Sequence, residues 1–132
     1  MARILVTETL SSRGLELMAA DGHQVDVQLS LTSAELVDAV AGAAALVIRS
    51  ATRVTAEVLD AERDLVAVGR AGVGLDNVDI PAATRRGVMV VNAPESNILS
   101  AAEHAVALLL AQARNIPQSH AALVKGRWER SK

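Results

Sequence analysis

The fold of this chain is decided by residues 65–91, LVAVGRAGVGLDNVDIPAATRRGVMVV. They predict a buried strand over Leu65–Val68, a glycine-rich turn, a short helix over Pro81–Arg86 that Gly87 ends, and a strand over Val88–Val91. Both predicted strands are uninterrupted apolar runs, which is typical of buried parallel strands. Two such strands joined by a helix predict a βαβ unit with a right-handed crossover.

The same alternation extends back to the N-terminus. Three more strands are predicted at Arg3–Thr7, Gln24–Gln28 and Ala45–Ile48. The helices between them are predicted at Ser11–Ala20, from the capping box Thr32–Glu35 through Val40, and at Thr55–Asp60. Five βα repeats within about 93 residues predict an α/β fold with a doubly wound, parallel five-stranded sheet.

The sequence changes character after residue 97. Ser100–Arg114 is rich in Ala and Leu and predicts a long helix, and Pro117 starts or kinks a second helix that runs to about Lys125. The charged residues 127–132 close the sequence without an evident packed element. We therefore expect a chain that was cut short or that is made to continue.

Composition excludes several classes of function. The 132 residues suit one domain, and 13 Lys and Arg against 15 Asp and Glu argue against binding of nucleic acid. One Trp, with no Tyr or Phe, leaves no platform for base stacking, and the lack of Cys excludes thiol catalysis and disulfides. The longest apolar run, Ala105–Ala111, is far below the ~20 residues that cross a bilayer. We expect a cytoplasmic protein with no nucleic-acid or membrane partner.

The candidate site follows the strands, because ligands of open parallel sheets bind beyond the carboxyl ends of the strands. Arg49 follows the third predicted strand, and Arg70 follows the fourth, beside Gly72 and Gly74. Arginine offers a planar set of donors to a carboxylate or phosphate, and glycines let backbone N–H groups converge on an anionic oxygen. The pattern predicts a small anionic ligand. In the alternative interpretation, both arginines pair with nearby acids such as Glu8 or Asp76.

Other chemistry finds no support in the sequence. Gly72-x-Gly74 lacks the third glycine of a dinucleotide-binding loop, since Asn77 occupies that position, and no phosphate-binding P-loop is present. A phospho-receiver domain would need an Asp where Arg49 ends the third strand. The spacing of the histidines excludes a metalloprotease pattern, so neither a metal site nor a catalytic residue is expected: His23, His104 and His120.

Several segments together resemble the D-2-hydroxyacid dehydrogenase family, namely residues 47–52, 69–79, 87–94, 96–97 and 100–104. The closing GRWERSK, residues 126–132, is similar to the bacterial phosphoglycerate dehydrogenase branch of that family. The resemblance implies a flavodoxin-like substrate-binding domain whose N-terminal part is residues 1–97. Residues 98–132 would be the interdomain helix and the start of a link to an NAD-binding Rossmann domain that is missing here.

The resemblance also implies roles for individual residues. The backbone N–H groups of Val73 and Gly74, with the side chain of Asn97, would hold a substrate carboxylate. Arg49 and Arg70 match positions that contact a carboxylate or phosphate, and Arg130 matches a position that reaches the phosphate. Val73 also matches the position that touches the nicotinamide end of NAD.

The function that the resemblance implies is NAD-dependent oxidation of the 2-hydroxyl of 3-phosphoglycerate, the first step of serine biosynthesis. The family's catalytic residues would lie beyond residue 132, so this chain alone should be inactive and should bind NAD weakly or not at all. The Ser100–Arg114 helix would take part in homo-oligomer packing. Two alternatives stay open: a stand-alone module that binds small carboxylated or phosphorylated metabolites, and an interaction partner of a full-length homologue.

Overall fold

A parallel sheet forms the centre of the structure, a computed structural model that describes residues 1–128. Its strands are β1 (Arg3–Val6), β2 (Gln24–Val27), β3 (Ala45–Ile48), β4 (Ala67–Arg70) and β5 (Met89–Asn92). All neighbours pair in parallel, in the spatial order β2-β1-β3-β4-β5. This is the flavodoxin-like order, and it confirms the predicted α/β fold with a five-stranded parallel sheet.

Helices alternate with the strands and then continue after the sheet. They are α1 (Ser12–Ala20), α2 (Ser33–Ala39), α3 (Ala56–Ala61), α4 (Ile80–Arg86), α5 (Ile98–Ala113) and α6 (Ile116–Val124). The predicted capping box is present, since the Thr32 side chain accepts the Glu35 N–H and the Glu35 carboxylate accepts the Thr32 N–H. Gly87 ends α4 in the left-handed conformation, as predicted, with φ of 68°.

The fourth strand lies two residues later in the chain than its apolar pattern predicts. Leu65 is buried but lies outside the ladder, whereas Gly69 and Arg70 pair in register with Val47 and Ile48 of β3. Pairing is set by the neighbouring strand rather than by apolar character. The last ladder position of β4 is therefore an arginine at the carboxyl edge of the sheet.

The hydrophobic core lies on one face of the sheet, beneath α2, α3 and α4. Leu5, Leu46, Ile48 and Val68 point into it and are fully buried. The helices contribute their own buried apolar residues: Leu36, Val40, Val58, Leu59, Ala82 and Ala83. Ile48, the last residue of β3, is part of this cluster, and so is Val68, two residues before the end of β4. The cluster therefore fixes the carboxyl ends of both central strands.

The opposite face of the sheet is covered at β1, where Ile4 and Val6 are buried, and less covered at β3 and β5. Ala45 and Val47, which alternate with Leu46 and Ile48 on β3, are only partly buried, although the sequence predicts a strand buried on both faces. On the edge strand β5, Met89 and Val91 are exposed.

The chain divides into two compact units, Met1–Ser96 and a second that begins at Asn97. The second unit contains α5 and α6, which pack against each other. Helix α5 begins at Ile98 and ends at Ala113, so the predicted span Ser100–Arg114 is wrong by two residues at its start and by one at its end. Asn97 takes the N-cap position without a hydrogen bond from its side chain.

Two further features concern the described part of the chain as a whole. No helix within residues 1–128 is both long enough and apolar enough to cross a membrane. In the same range, no three His, Asp or Glu side chains are grouped closely enough to hold a metal ion.

Candidate anion-binding site at the carboxyl edge of the sheet

Three strands end level with one another at the carboxyl edge of the sheet. Ile48, Arg70 and Asn92 are register partners at the ends of β3, β4 and β5. Arg49 follows directly after Ile48, and the N–H of Ala71 continues the ladder by donating to the Ile48 carbonyl at 2.8 Å. The two candidate arginines therefore leave neighbouring strands at the same edge.

The loop after β3, residues 49–52, is held by the carboxylate of Glu8. Glu8 follows β1 closely in the chain, and its carboxylate accepts the backbone N–H groups of Arg49 (2.8 Å), Thr52 (2.9 Å) and Ala51 (3.1 Å). Partial burial alone would raise the pKa of Glu8, but these N–H donors outweigh it and lower the pKa below that of an ordinary glutamate. Glu8 is thus an ionised anchor for the loop.

The carbonyl groups of the same loop are held from another direction by Asn77. Its Nδ2 donates to the carbonyl oxygens of Arg49 at 2.7 Å and of Thr52 at 2.6 Å. Asn77 is buried and belongs to the segment between β4 and α4. The loops that follow β3 and β4 are therefore joined, and Arg49 is held at both its N–H and its carbonyl.

The Arg49 side chain extends from this fixed backbone into a cleft. The cleft has a volume of about 300 Å³ and is lined by residues that follow β1, β2 and β3: Thr7, Glu8, Thr9, Leu29, Ser30, Leu31, Arg49, Ala51 and Thr52. Arg49 is exposed, and within the described residues its guanidinium makes one hydrogen bond, to the Thr9 carbonyl at 3.5 Å. Most of its donors remain available to an anion.

The turn after β4 begins with Arg70, whose side chain lies over Gly72. A Cβ added at Gly72 would overlap Nη1 of Arg70 and would lie 3.0 Å from its Cζ. Glycine at 72 is thus needed for the close approach of the guanidinium rather than for an unusual backbone angle. Nε of Arg70 is buried, and its guanidinium makes no hydrogen bond or ion pair with any residue from 1 to 128.

The next residues of this turn present unpaired backbone donors. In the part of the chain that the structure describes, the N–H groups of Val73 and Gly74 donate no hydrogen bond. Their position is nevertheless fixed, since Nδ2 of Asn92 donates to the Val73 carbonyl at 2.7 Å and the N–H of Ala93 donates to the Gly72 carbonyl at 2.9 Å. Held in this way, the turn can offer two N–H groups to an anionic oxygen.

The structure places four of the predicted residues in the first unit: Arg49, Arg70, Val73 and Gly74. Asn97 begins the second unit, is exposed, and makes no capping bond with its side chain. Arg130 lies outside the described residues. Glu8 and Asp76 do not neutralise the arginines, because within residues 1–128 neither acid forms an ion pair with Arg49 or Arg70.

Sequence reasoning misses Glu8 and Asn77 as the residues that hold the site together. The sequence places Glu8 after the first predicted strand and offers it as a possible partner of an arginine side chain, whereas it binds backbone N–H groups. It presents Asn77 only as the residue that breaks a glycine pattern. The position of Glu8 in the sequence could have been used to predict its place in the site, because a residue that follows the first strand of this fold lies at the carboxyl edge of the sheet.

The arrangement can bind an anion but contains no built site for a dinucleotide. Arg49, Arg70 and two free N–H groups supply positive charge and donors, and Val73 adds an exposed apolar side chain. A dinucleotide would also need a strand-to-helix turn with the pattern G-x-G-x-x-G for its pyrophosphate, and the turn after β4 lacks the third glycine of that pattern, where Asn77 stands. The donors of this edge thus fit a small anion.

Comparison with known proteins agrees with this geometry. Residues 4–126 match the model of a family described as D-isomer specific 2-hydroxyacid dehydrogenase, catalytic domain. A D-3-phosphoglycerate dehydrogenase of Archaeoglobus fulgidus is 48% identical over 130 residues, which are 98% of this chain and 25% of the relative. The chain thus spans about a quarter of the length of that curated relative.

Solved structures give the same result. A crystal structure of a Thermus thermophilus protein superposes with a TM-score of 0.86 at 35% identity, covering 98% of this chain and 42% of the other. An NAD-dependent formate dehydrogenase from Staphylococcus aureus, solved in complex with NAD, superposes with a TM-score of 0.79 at 25% identity, covering 98% and 43%. The resemblance predicted from the edge segments is confirmed, and the chain belongs to the family of D-isomer specific 2-hydroxyacid dehydrogenases, whose catalytic domain it matches.

Proposed function

We propose that this chain supplies the anion-binding half of the substrate cleft of an NAD-dependent D-3-phosphoglycerate dehydrogenase. The chemistry of the whole enzyme would be oxidation of the substrate's C2 hydroxyl to a ketone. The similarity to a D-3-phosphoglycerate dehydrogenase over 98% of this chain supports this choice of substrate.

The observation that carries the proposal is a set of fixed donors without protein partners. The guanidinium of Arg70 and the N–H groups of Val73 and Gly74 make no hydrogen bond within residues 1–128, although their backbone is tied to β5. Unsatisfied donors are costly where they are shielded from water. Nε of Arg70 is such a shielded donor, whereas the N–H groups of Val73 and Gly74 belong to exposed residues of the same turn and are open to an anion.

The proposed roles divide between the two ends of the substrate. The Val73 and Gly74 N–H groups, with the Asn97 amide, hold the carboxylate, while Arg70 adds a charge-assisted contact. Arg49 and Arg130 reach toward the phosphate. Holding both ends would fix the position of C2 and its hydroxyl in the cleft, which lowers the entropic part of the barrier.

NAD accepts the hydride in the complete enzyme, and Val73 is the residue here that would contact its nicotinamide end. No residue of this chain is proposed as the base that takes the hydroxyl proton. This chain alone is therefore expected to bind substrate weakly and to catalyse nothing.

Titration of D-3-phosphoglycerate into the ¹⁵N-labelled chain tests the proposal. We expect the amide signals of Val73 and Gly74 to shift with saturation, since those N–H groups would donate to the carboxylate. Arg70→Ala should weaken binding about tenfold, the loss typical of one charge-assisted contact.

NAD and glycerol provide the matched comparisons for this titration. Neither should shift the same signals at micromolar concentration, because glycerol lacks the anionic groups and NAD lacks a pyrophosphate site here. Saturable micromolar binding of NAD, or shifts at Val73 and Gly74 that Arg70→Ala leaves unchanged, would contradict the proposed function.

A wider proposal concerns the second unit. We infer that residues up to 97 form the N-terminal part of a substrate-binding domain and that α5 and α6 lead toward an NAD-binding domain outside these residues. Helix α5 would also pack in a homo-oligomer. The support for this packing is the exposure of α5: none of its 16 residues is buried, and the leucines at 99, 108, 109 and 110 are mostly exposed to solvent.

A stand-alone metabolite-binding module is the second candidate function. It is favoured by the first unit, Met1–Ser96, which has its own hydrophobic core and contains Arg49, Arg70 and the glycine turn. The same phosphoglycerate titration applies to it. A second series with D-lactate, which keeps the carboxylate and lacks the phosphate, separates a general carboxylate binder from a phosphoglycerate site.

A further inference from the structure

The Glu8 carboxylate fills a ring of backbone donors that would otherwise bind an anion. The N–H groups of Arg49, Ala51 and Thr52 all point at it, which is the geometry of an anion-binding concavity. An external anion therefore cannot use these N–H groups. What the loop offers to a ligand is the Arg49 side chain, which lines the adjoining cleft.

Both faces of the Arg49 backbone are occupied by side chains from other parts of the fold. Glu8 accepts its N–H, and Asn77 donates to its carbonyl. Thr52, at the other end of the loop, is held in the same way by the same two side chains. The four-residue loop is thus fixed at its first and last residues. A hydrogen bond of 2.9 Å between the hydroxyl groups of Thr52 and Thr7 adds a further link, to the residue that follows β1.

The side chain of Arg49 has no comparable support of its own. Its one hydrogen bond within residues 1–128 is to the Thr9 carbonyl at 3.5 Å, and it forms no ion pair there. The direction in which the guanidinium leaves the sheet is therefore decided by the loop backbone. A long, exposed side chain loses affinity for a ligand when its Cα is free to move, because each hydrogen bond then costs more ordering.

We propose that Glu8 and Asn77 are positioning residues that hold the 49–52 loop so that Arg49 points at the anionic substrate. The inference rests on the proposed function, in which Arg49 reaches toward the phosphate of the substrate. Glu8 lines the cleft, but its carboxylate is occupied by three N–H groups of the loop, so both residues act through the loop backbone. Glu8 acts through the loop, and removing its charge should affect binding only as long as Arg49 is present.

A double-mutant cycle on the full 132-residue chain tests this, with D-3-phosphoglycerate as the probe and ¹⁵N NMR as the readout. Glu8→Gln should weaken binding roughly three- to tenfold, and Arg49→Ala at least as much. In the Arg49→Ala background, Glu8→Gln should cause no further loss, since residues that act as one unit are not additive. If Glu8→Gln does not fold, Glu8→Asp, which keeps the charge and shortens the reach, replaces it.

Glu35→Gln is the matched control. Glu35 is also a glutamate that accepts a backbone N–H and has a lowered pKa, because the Thr32 N–H and hydroxyl both donate to it, but it caps α2. It should leave the affinity unchanged. Equal weakening by Glu35→Gln, or full additivity of Glu8→Gln with Arg49→Ala, would overturn the inference.

A ligand-free measurement separates failure of this inference from failure of the proposed function. Backbone ¹⁵N relaxation should show greater mobility for residues 49–52 in Glu8→Gln and unchanged mobility in Glu35→Gln. A loop that stays equally ordered in Glu8→Gln overturns the inference whatever the ligand. If the wild-type loop is ordered but D-3-phosphoglycerate causes no change in the ¹⁵N NMR signals, the proposed function is contradicted. The substrate named in the inference is then contradicted as well.

Discussion

Gly72 shows at the scale of a residue how a missing Cβ can serve a neighbouring side chain. The Arg70 guanidinium occupies the space that a side chain at 72 would take, and Gly72 does not adopt a left-handed backbone. In Gly72→Ala the flexible end of Arg70 has to move. We expect the free energy of unfolding to change by less than about 1 kcal/mol, since alanine fits this backbone. Binding of D-3-phosphoglycerate should nevertheless weaken several-fold.

Gly69→Ala is the control for this change, measured by urea denaturation and the same NMR titration. A Cβ at 69 would meet only methyl groups of Val91 and Val47, at 3.8 and 3.9 Å, which are ordinary contacts. It should leave both stability and binding close to wild type. Undiminished binding by Gly72→Ala would show that the guanidinium over Gly72 does not contact the ligand.

Glu8 makes the stability of the fold depend on pH. Its pKa is lowered in the folded protein by the N–H groups that overcome its partial burial, so the ionised form stabilises the folded state. This contribution is present above the unfolded pKa, about 4.3, and is lost as the pH falls through the lower folded pKa. The stability difference between wild type and Glu8→Gln should therefore be larger at pH 7 than at pH 3.

Urea denaturation at the two pH values measures this difference. Glu16→Gln serves as the control, because Glu16 is exposed on α1 and forms no hydrogen bond or ion pair within the described residues. It should change stability little at either pH. A Glu8→Gln deficit that is equal at both pH values would mean that the charge of Glu8 is not what the loop requires.

At the scale of elements, two helix N-caps should behave in opposite ways. The Asp79 side chain accepts the Ala82 N–H at 2.9 Å and so caps α4, whose Ala82 and Ala83 are buried in the core. Asn97 holds the N-cap position of α5 without a side-chain bond. Asp79→Ala should lower the free energy of unfolding by about 1 kcal/mol. Asn97→Ala should leave it within about 0.5 kcal/mol but weaken D-3-phosphoglycerate binding.

Chemical denaturation measures the free energy of unfolding of both variants, and the NMR titration measures their binding of D-3-phosphoglycerate. Each variant serves as the control for the other. A loss of stability in Asn97→Ala as large as in Asp79→Ala would mean that the Asn97 amide does cap α5 in solution. In that case Asn97 would be a structural residue, and its place in the proposed substrate site would be lost.

Most elements are predictable from the sequence because their signals are local. Apolar runs such as Ala45–Ile48 and the Thr32–Glu35 capping box identify strands and helices without reference to distant residues. Strand ends are not local, since β4 continues to Arg70 only because β3 supplies partners for it. The same reason hides the roles of Glu8 and Asn77, whose partners lie 41 to 44 and 25 to 28 residues away in the chain.

At the scale of the whole molecule, the second unit is the part whose burial is incomplete. Helix α5 contains one charged residue, Glu103, in 16 residues, and none of its side chains is buried. A helix that is apolar around most of its circumference is normally covered from several sides. Val106 and Leu110, both more than half exposed, lie on one face with Ala102, Ala107 and the one charged residue, Glu103. An exposed surface of this kind drives association in water.

We therefore expect the chain to self-associate in a concentration-dependent manner in analytical ultracentrifugation. Val106→Lys with Leu110→Lys should raise the dissociation constant more than about tenfold, because an unpaired charge in an apolar contact is costly. Leu17→Lys is the control, since Leu17 is a comparably exposed leucine on α1 of the first unit. Association that Leu17→Lys weakens as strongly as the α5 pair, or a wild-type chain that stays monomeric at millimolar concentration, would contradict an interface at α5.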